Sequence, residues 1–281
     1  MIEQIPDQAS RMRARMSGRR TRVITVTSGK GGVGKTSLVA NLGLELTRSG
    51  STVLVLDGDL GLANLSILFN VAPRWDLQDV LEGRRVLGEI VLDIIPGLRL
   101  IPAAAGASAL AELPDDRRQA LLQDVQVLGA GTDFLLIDTG AGISSTVLGL
   151  VAAAERSFVV TTHEPTALSD AYALIKAVRV RSHRRLDVVV NMAQSSIQAR
   201  DTHARLCKLT ERFLGFAPGL AAIIPRDNCV GESVVRQEPL TIIYPYAPAT
   251  RAVAGLARLL QDDTGSTHER PIVSMAVPVR R

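Results

Sequence analysis

Short runs of valine, isoleucine and leucine alternate along the chain with longer stretches in which apolar residues recur at helical spacing. The runs show no regular polar alternation, which is typical of parallel strands that helices cover on both faces. Strands are predicted at 22–27, 52–56, 98–101, 134–137, 157–161 and 186–190. Helices are predicted at 38–47 and near 76–82, 115–128, 143–154, 165–181, 198–214 and 249–261. This order predicts an α/β fold, a doubly wound and mostly parallel sheet with helices on both faces.

The alternation continues from residue 22 to residue 262 without a polar or Pro/Gly-rich linker. We therefore predict one domain at 22–262, although the 281-residue chain approaches the upper size of a single hydrophobic core. Residues 1–21 are predicted to form a basic N-terminal arm, and residues 263–281 a flexible C-terminal tail. Pro271 and Pro278 in this tail argue against an amphipathic membrane helix.

Composition and charge narrow the class of protein. Hydrophobic residues make up 46% and charged residues 21% of the chain, which are the proportions of a globular protein. There is no long apolar span, no signal peptide and no CxxC pair, so we expect a cytoplasmic protein without a disulfide framework. The formal charge of +4 arises entirely in residues 1–22, where six arginines face two acidic residues. The remainder is net neutral, which argues against DNA as a partner.

A glycine-rich segment follows the first predicted strand and opens the first predicted helix. Its sequence is Gly29-Lys30-Gly31-Gly32-Val33-Gly34-Lys35-Thr36-Ser37. It matches the phosphate-binding pattern G-x-x-x-x-G-K-[ST], in which backbone N–H groups and the helix N-terminus bind phosphate oxygens. Lys35 is expected to neutralise charge on the β- and γ-phosphates, and the Thr36 hydroxyl to ligate Mg²⁺. Lys30 is one of four lysines among 32 basic residues, so its place in this loop also indicates a function.

Three aspartates stand where predicted strands end. Asp57 and Asp59 follow the second strand, and Asp138 closes the apolar run 134–137. A buried strand that ends in aspartate delivers a carboxylate to a Mg²⁺ shell, so Asp138 is the predicted metal partner of Thr36. The chain contains no Asn-Lys pair of the guanine-reading N-K-x-D pattern, which favours ATP as the nucleotide.

The segment Lys30-Gly31-Gly32-Val33-Gly34-Lys35-Thr36 resembles the deviant Walker A motif of the MinD/ParA family of P-loop ATPases. The resemblance implies a homodimer with two ATP molecules between the subunits, in which Lys30 reaches the partner's nucleotide. By position it implies that Lys30, Lys35, Asp57 and Asp59 are catalytic, with Asp59 near Mg²⁺ orienting the attacking water and Asp57 supporting it. It places Lys30, Asn64 and Gly140 at the dimer interface and matches Asn191, Pro225 and Asp227 to adenine-contacting positions.

Two segments resemble the flagellar branch of this family, the FlhG (FleN, YlxH) proteins. They are Asp7-Gln8-Ala9-Ser10-Arg11-Met12-Arg13 and Asp138-Thr139-Gly140-Ala141-Gly142. The branch implies that Asp7, Gln8, Ala9, Met12 and Arg13 bind an FlhF-type GTPase and stimulate it. Flagellar C-ring proteins and a flagellar transcription regulator are further implied partners. The arginines of the arm predict only weak, salt-sensitive or indirect association with the inner face of the cell membrane.

Other functions stay open on the sequence alone. A cell-division or DNA-partitioning ATPase of the MinD/ParA type is the main alternative to a flagellar regulator. A redox or metal carrier in the style of nitrogenase reductase is disfavoured, because Cys207 and Cys229 both follow Asn191. An adaptor that binds nucleotide without turnover differs from a switch ATPase only in the absence of phosphate release.

Overall fold

The computed structural model of the chain describes residues 20–59, 64–103 and 115–263. Its strands are β1 (Arg22–Ser28), β2 (Val53–Gly58), β3 (Leu92–Ile95), β4 (Leu98–Ile101), β5 (Phe134–Ala141), β6 (Arg156–Thr161), β7 (Arg185–Ala193) and β8 (Gly219–Pro225). Its α-helices are α1 (Lys35–Arg48), α2 (Asn64–Leu68), α3 (Leu77–Leu81), α4 (Asp115–Leu128), α5 (Ser145–Ala153), α6 (Pro165–Arg181), α7 (Ser196–Leu214), α8 (Asn228–Arg236), α9 (Leu240–Ile243) and α10 (Pro248–Asp262). Except for residues 20, 21 and 263, the predicted arm and tail lie outside the described residues.

All eight described strands form one sheet in the order β3-β4-β2-β5-β1-β6-β7-β8. Every neighbouring pair is parallel except β3 with β4, which is antiparallel. The predicted doubly wound, mostly parallel α/β fold is therefore confirmed. The sequence pattern missed β3, a short edge strand, and β8, whose glycine and alanines weaken the strand signal.

Helices bury both faces of the sheet, as the continuous apolar strands predict. On one face α1 and α10 pack against alternate strand residues such as Val26, Leu136 and Val160. On the other face α4 and α5 cover the intervening residues of β2 and β5, and α6 and α7 cover those of β6 and β7. The described helices include none that is both long and apolar enough to cross a lipid bilayer.

Charged side chains join several elements at the amino ends of the strands. Arg156 opens β6, and its guanidinium lies 2.6 Å from Asp187 and 2.6 Å from Asp263, just beyond α10. Arg185 at the start of β7 approaches Asp263 at 3.1 Å. Glu155, the residue directly before Arg156, forms an ion pair with Arg20 at 3.3 Å. This network ties both ends of the described chain to the same end of the sheet.

Candidate functional site

The phosphate-binding loop spans the gap between β1 and α1, at the carboxyl end of the sheet. Two of its glycines are required by close approaches. A Cβ at Gly29 would lie 2.1 Å from the Asp170 carbonyl oxygen of α6, and one at Gly34 would lie 2.4 Å from the Asn191 side chain. Gly34 also has φ +90°, a left-handed conformation that costs a glycine little. The loop therefore turns sharply and presents the N-terminus of α1, which attracts anions.

The two lysines of this loop have different surroundings. Lys35 is only 6% exposed, and burial lowers the pKa of its ammonium group while the carboxylates of Asp138 and Asp59 oppose that shift. Lys30 instead lies at the surface and donates to Glu164 Oε2 at 2.7 Å and to Thr166 Oγ1 at 3.1 Å. Lys35 is thus directed into the site, whereas Lys30 is held on the N-terminus of α6.

The acidic side chains predicted from the sequence meet beside Lys35. Asp57 on β2 and Asp138 on β5 are register neighbours on adjacent strands. Burial raises the pKa of Asp138 to about 7, an increase that the Thr36 hydroxyl and the Lys35 ammonium oppose. Burial and the neighbouring Asp138 charge raise the pKa of Asp57 well above its usual value. The carboxyl end of the sheet therefore concentrates carboxyl groups whose burial outweighs the opposing effects of Thr36 and Lys35.

The environment of Asp138 fits a magnesium ion. Both of its carboxylate oxygens are buried without a hydrogen-bond partner among the described residues, an arrangement that is costly unless a cation or a proton compensates. Thr36 supplies the second oxygen donor predicted for the ion. Among the described residues no group of three acidic, histidine or cysteine side chains could hold a metal ion alone. That is the usual case for Mg²⁺ bound with a nucleotide, because phosphates and water complete its shell.

Asp57 and Asp59 occupy different positions in this cluster. Asp57 accepts the backbone N–H of Asp59 at 3.2 Å and that of Leu65 at 3.4 Å, so it positions both of these residues. Asp59 is partly exposed, and its Oδ1 would lie 3.5 Å from a Cβ added at Gly140. The loop after β5 is in turn tied to β1, because the Gly142 N–H donates to the Ser28 carbonyl at 2.9 Å.

A cavity of about 760 Å³ opens beside the loop and contains most of the predicted nucleoside-binding positions. Its lining includes Gly34, Ser37, Asn191, Pro225 and Asp227. This volume is in the range of small-molecule sites. The structure therefore brings together, around one cavity, residues from the loop, from the end of β7 and from the end of β8.

Two of these residues also hold the cavity in shape. The Asn191 side-chain amide donates to the Val33 carbonyl at 2.7 Å, and its oxygen accepts the Met192 N–H at 2.8 Å. Asp227 caps α8 by accepting the Cys229 N–H at 3.0 Å and also accepts the Ala249 N–H at 3.1 Å. Contact of Asn191 and Asp227 with adenine stays a prediction.

Sequence analysis missed the segment that connects β6 to α6. Thr162, His163 and Glu164 line the cavity, and His163 Nδ1 is buried without a hydrogen-bond partner among the described residues. The available signal was Pro165, which occupies the first turn of α6 and marks the residues before it as a strand-to-helix junction. At the carboxyl end of a strand in a doubly wound fold, such a junction belongs to the ligand site.

The remaining predicted positions are located only in part. Asn64 begins α2 and is half-buried, while residues 60–63 before it lie outside the described chain. Gly140 is half-buried beside Asp59. The predicted partner-binding residues Asp7, Gln8, Ala9, Met12 and Arg13 all lie outside the described residues.

Comparison with known proteins identifies the family. The CobQ/CobB/MinD/ParA nucleotide binding domain matches residues 24–240, which is most of the chain. The chain belongs to the MinD/ParA family. Antiactivator FleN of Pseudomonas aeruginosa is 40% identical over 238 residues, covering 84% of this chain and 85% of that protein. Flagellum site-determining protein YlxH of Helicobacter pylori is 37% identical over 191 residues, covering 68% of this chain and 65% of that protein.

A solved structure shows the same architecture with nucleotide bound. The septum site-determining protein MinD of Pyrococcus horikoshii, complexed with Mg-ADP, has a TM-score of 0.74 and 26% sequence identity. The match covers 87% of this chain and 98% of the MinD chain. These findings confirm the predicted resemblance to MinD/ParA proteins and the predicted cofactors, ATP and Mg²⁺. As a P-loop ATPase of the MinD/ParA family, the chain is a nucleotide-hydrolysing protein.

Proposed function

We propose that the protein is a switch ATPase whose ATP-bound homodimer regulates flagellar number or placement. FleN and YlxH, two of its relatives in the MinD/ParA family, support the flagellar assignment. The observation that carries the switch is the contrast between the two lysines of the loop. Lys35 is buried in the site, whereas Lys30 lies at the surface on Glu164 and Thr166, where a second subunit can reach it.

Within one subunit the reaction is hydrolysis of ATP by water to ADP and phosphate. The loop residues 29–37 bind the phosphates, and Thr36, Asp138 and Asp59 hold Mg²⁺. The ion, when bound, supplies positive charge against the phosphate oxygens. Lys35 stabilises charge on the transferred group, and Asp59 orients the water. Asp57 positions Asp59 through the backbone bonds described above. Asn191, Pro225 and Asp227 contact the adenine.

ATP hydrolysis depends on formation of the homodimer. In the dimer Lys30 leaves Glu164 and stabilises charge on the partner's terminal phosphate, as an arginine finger does. Asn64 and Gly140 lie at the same interface. ATP can drive this change only by binding the dimer more tightly than the monomer. Hydrolysis is therefore slow in the monomer and limits the lifetime of the dimer.

Partner contacts follow the flagellar branch. Asp7, Gln8, Ala9, Met12 and Arg13 of the arm bind an FlhF-type GTPase and stimulate it. Flagellar C-ring proteins or a flagellar transcription regulator are further partners, and the protein works in the cytoplasm with weak or indirect membrane association. The proposed boundaries are 1–21 for the arm, 22–262 for the ATPase domain and 263–281 for the tail.

The similarity to MinD favours a cell-division or partitioning ATPase as the second candidate function.

Light scattering after size-exclusion chromatography tests the switch. With a non-hydrolysable ATP analogue and Mg²⁺, the wild type is expected to shift from monomer to dimer. Lys30→Ala should bind the analogue but lose most dimer-dependent phosphate release. Lys176→Ala, the same change at an exposed lysine on α6, should behave as the wild type. A wild type that stays monomeric at saturating analogue contradicts the proposal.

A second experiment separates the two candidate functions. We expect the full chain to raise GTP hydrolysis by an FlhF-type GTPase, and a chain lacking residues 1–20 to lose this effect while keeping its own ATPase activity. Equal stimulation by both chains removes the arm from the proposal, and stimulation by neither chain favours the cell-division alternative.

A further inference from the structure

We propose that a groove on the opposite side of the molecule from the nucleotide site binds an extended acidic peptide segment of a partner protein. Two adjoining depressions of about 430 Å³ and 370 Å³ form this groove. They share Gln126 on α4 and Ala153 at the end of α5 in their linings, so they are continuous. The groove runs between α4 and α5 and reaches the amino ends of β1 and β7. Its proposed role is independent of the ATPase switch.

The charge of this groove is strongly positive. Arg20, Arg181 and Arg184 line it and are exposed. Among the described residues Glu155 is the one carboxylate in the two linings, and it already pairs with Arg20 at 3.3 Å. In the part of the chain that the structure describes, Arg181 and Arg184 have no acidic partner. The domain as a whole is net neutral, so this local excess points to an anionic ligand.

The arginines extend along the groove rather than around one point. Arg181 ends α6, where a cation also stabilises the helix C-terminus, but Arg184 lies beyond the helix and gains nothing from that effect. Arg118 forms part of the floor, where its side chain packs on Gly149 and donates to Ser145 Oγ at 3.4 Å. The exposed positive charge therefore extends from Arg181 in one depression to Arg184 in the other, which suits a ligand with separated carboxylates.

Three side-chain amides stand along the same groove. Gln119, Gln123 and Gln126 are exposed on one face of α4. Each glutamine amide can both donate and accept, as a peptide backbone requires. Residues four apart on a helix are separated by about 6 Å along its axis. Residues two apart in an extended peptide are separated by about 6.6 Å. Gln119 and Gln123, which are four residues apart, can thus pair with alternate residues of an extended chain.

The wall facing these amides leaves room for a backbone. Gly149, Ala152 and Ala153 of α5 line the groove with little or no side chain. A concave channel of this kind does not follow the surface of a flat bilayer. The described part of its linings includes no aromatic residue, whereas single-stranded nucleic acid normally stacks its bases on aromatic side chains. The features together favour an acidic peptide.

Fluorescence anisotropy with the full chain tests this assignment. The probe is a fluorescein-labelled ten-residue peptide of alternating glutamate and serine, measured at low salt. Wild type is expected to bind it, and Arg181→Glu with Arg184→Glu to weaken binding at least tenfold. The milder pair Arg181→Gln and Arg184→Gln should weaken binding several-fold. Arg200→Glu with Arg212→Glu, an equal charge change on exposed positions of α7, should change it less than twofold. ATP hydrolysis should be unchanged in all three variants.

A second set of probes distinguishes a peptide site from general attraction of anions. A peptide with glutamine in place of glutamate, and one with alternate backbone amides N-methylated, should each bind at least fivefold more weakly. Equal weakening by the Arg200 and Arg212 variant overturns the proposal. So does equal affinity for the N-methylated peptide, or phosphatidylglycerol vesicles that bind equally well and depend equally on Arg181 and Arg184. No binding by wild type also overturns it.

Discussion

Both ends of the central sheet bury ionisable side chains, but the two ends differ in whether those side chains have partners. At the amino end Arg156 is buried and has two carboxylate partners, Asp187 and Asp263. At the carboxyl end Asp138 is equally buried and has no hydrogen-bond partner among the described residues. Buried charge stabilises a fold only when it is paired. The amino end therefore joins the last helix to the sheet, while the carboxyl end buries carboxyl groups that a cation and a nucleotide can contact.

The largest effect is expected from breaking the amino-end network. Arg156→Met leaves Asp187 buried without its main partner, so the free energy of unfolding should fall by about 3–5 kcal/mol. That is a large share of the stability of an ordinary domain. Urea unfolding monitored by circular dichroism measures the change. Arg185→Met serves as the matched control, because that side chain is 55% exposed and should contribute about 0–1 kcal/mol. Equal losses in both variants would show that burial does not distinguish the two arginines.

The carboxyl end should respond in activity rather than in stability. Asp138→Asn removes the predicted metal ligand, so phosphate release should fall on the order of 10²-fold or more. A malachite-green assay at saturating Mg-ATP measures this change. Asp93→Asn, on the exposed edge strand β3, should leave turnover unchanged. Retention of full activity by the Asp138 variant would remove this residue from the metal site.

The same aspartate predicts how stability varies with pH. Without nucleotide, the folded-state pKa of Asp138 is about 7 against an ordinary value of 3.8. Between these values the folded protein keeps a proton that the unfolded chain has lost, so stability falls as the pH rises. Thermal unfolding at constant ionic strength should show a midpoint that declines from about pH 4 to about pH 7. The decline should be smaller in Asp138→Asn, with the remainder due to Asp57. An identical decline in the variant would assign it to other groups.

The smallest effect is expected from replacing Glu164, the ion-pair partner of Lys30. This ion pair is exposed, so Glu164→Gln should not measurably change the unfolding temperature. If the pair holds Lys30 away from a second subunit, the variant should dimerise at a modestly lower concentration of ATP analogue. Analytical ultracentrifugation measures this shift, and Ser169→Ala on the same helix is the control. A variant that needs more analogue than the wild type would show that Glu164 assists the dimer.

Much of the fold could be predicted from the sequence, because buried parallel strands are continuous runs of apolar residues. The runs that became β1, β2, β4, β5, β6 and β7 were all predicted. The phosphate loop was equally clear, because local backbone geometry requires glycine there, as the φ of +90° at Gly34 shows. A structural feature can be predicted from the local sequence where the local backbone geometry determines which residue is allowed.

Other features depend on contacts between distant parts of the chain. The ion pair of Lys30 with Glu164 joins residues 134 positions apart, and nothing near Lys30 in the sequence indicates it. Asn191 and Asp227 were assigned to adenine by their positions in the family, while their bonds to Val33 and Ala249 required the fold. The groove between α4 and α5 was not predicted, because its glutamines come from α4 and its exposed arginines come from other parts of the chain.

The network at the amino end has a practical consequence for handling the molecule. Arg20 and Asp263, the first and last described residues, are linked through the consecutive residues Glu155 and Arg156. A fluorophore or surface tether introduced at either position starts on the far side from the phosphate loop. Immobilised through these points, the protein would present its nucleotide face to the solution, so that capture of a second copy could be watched one molecule at a time.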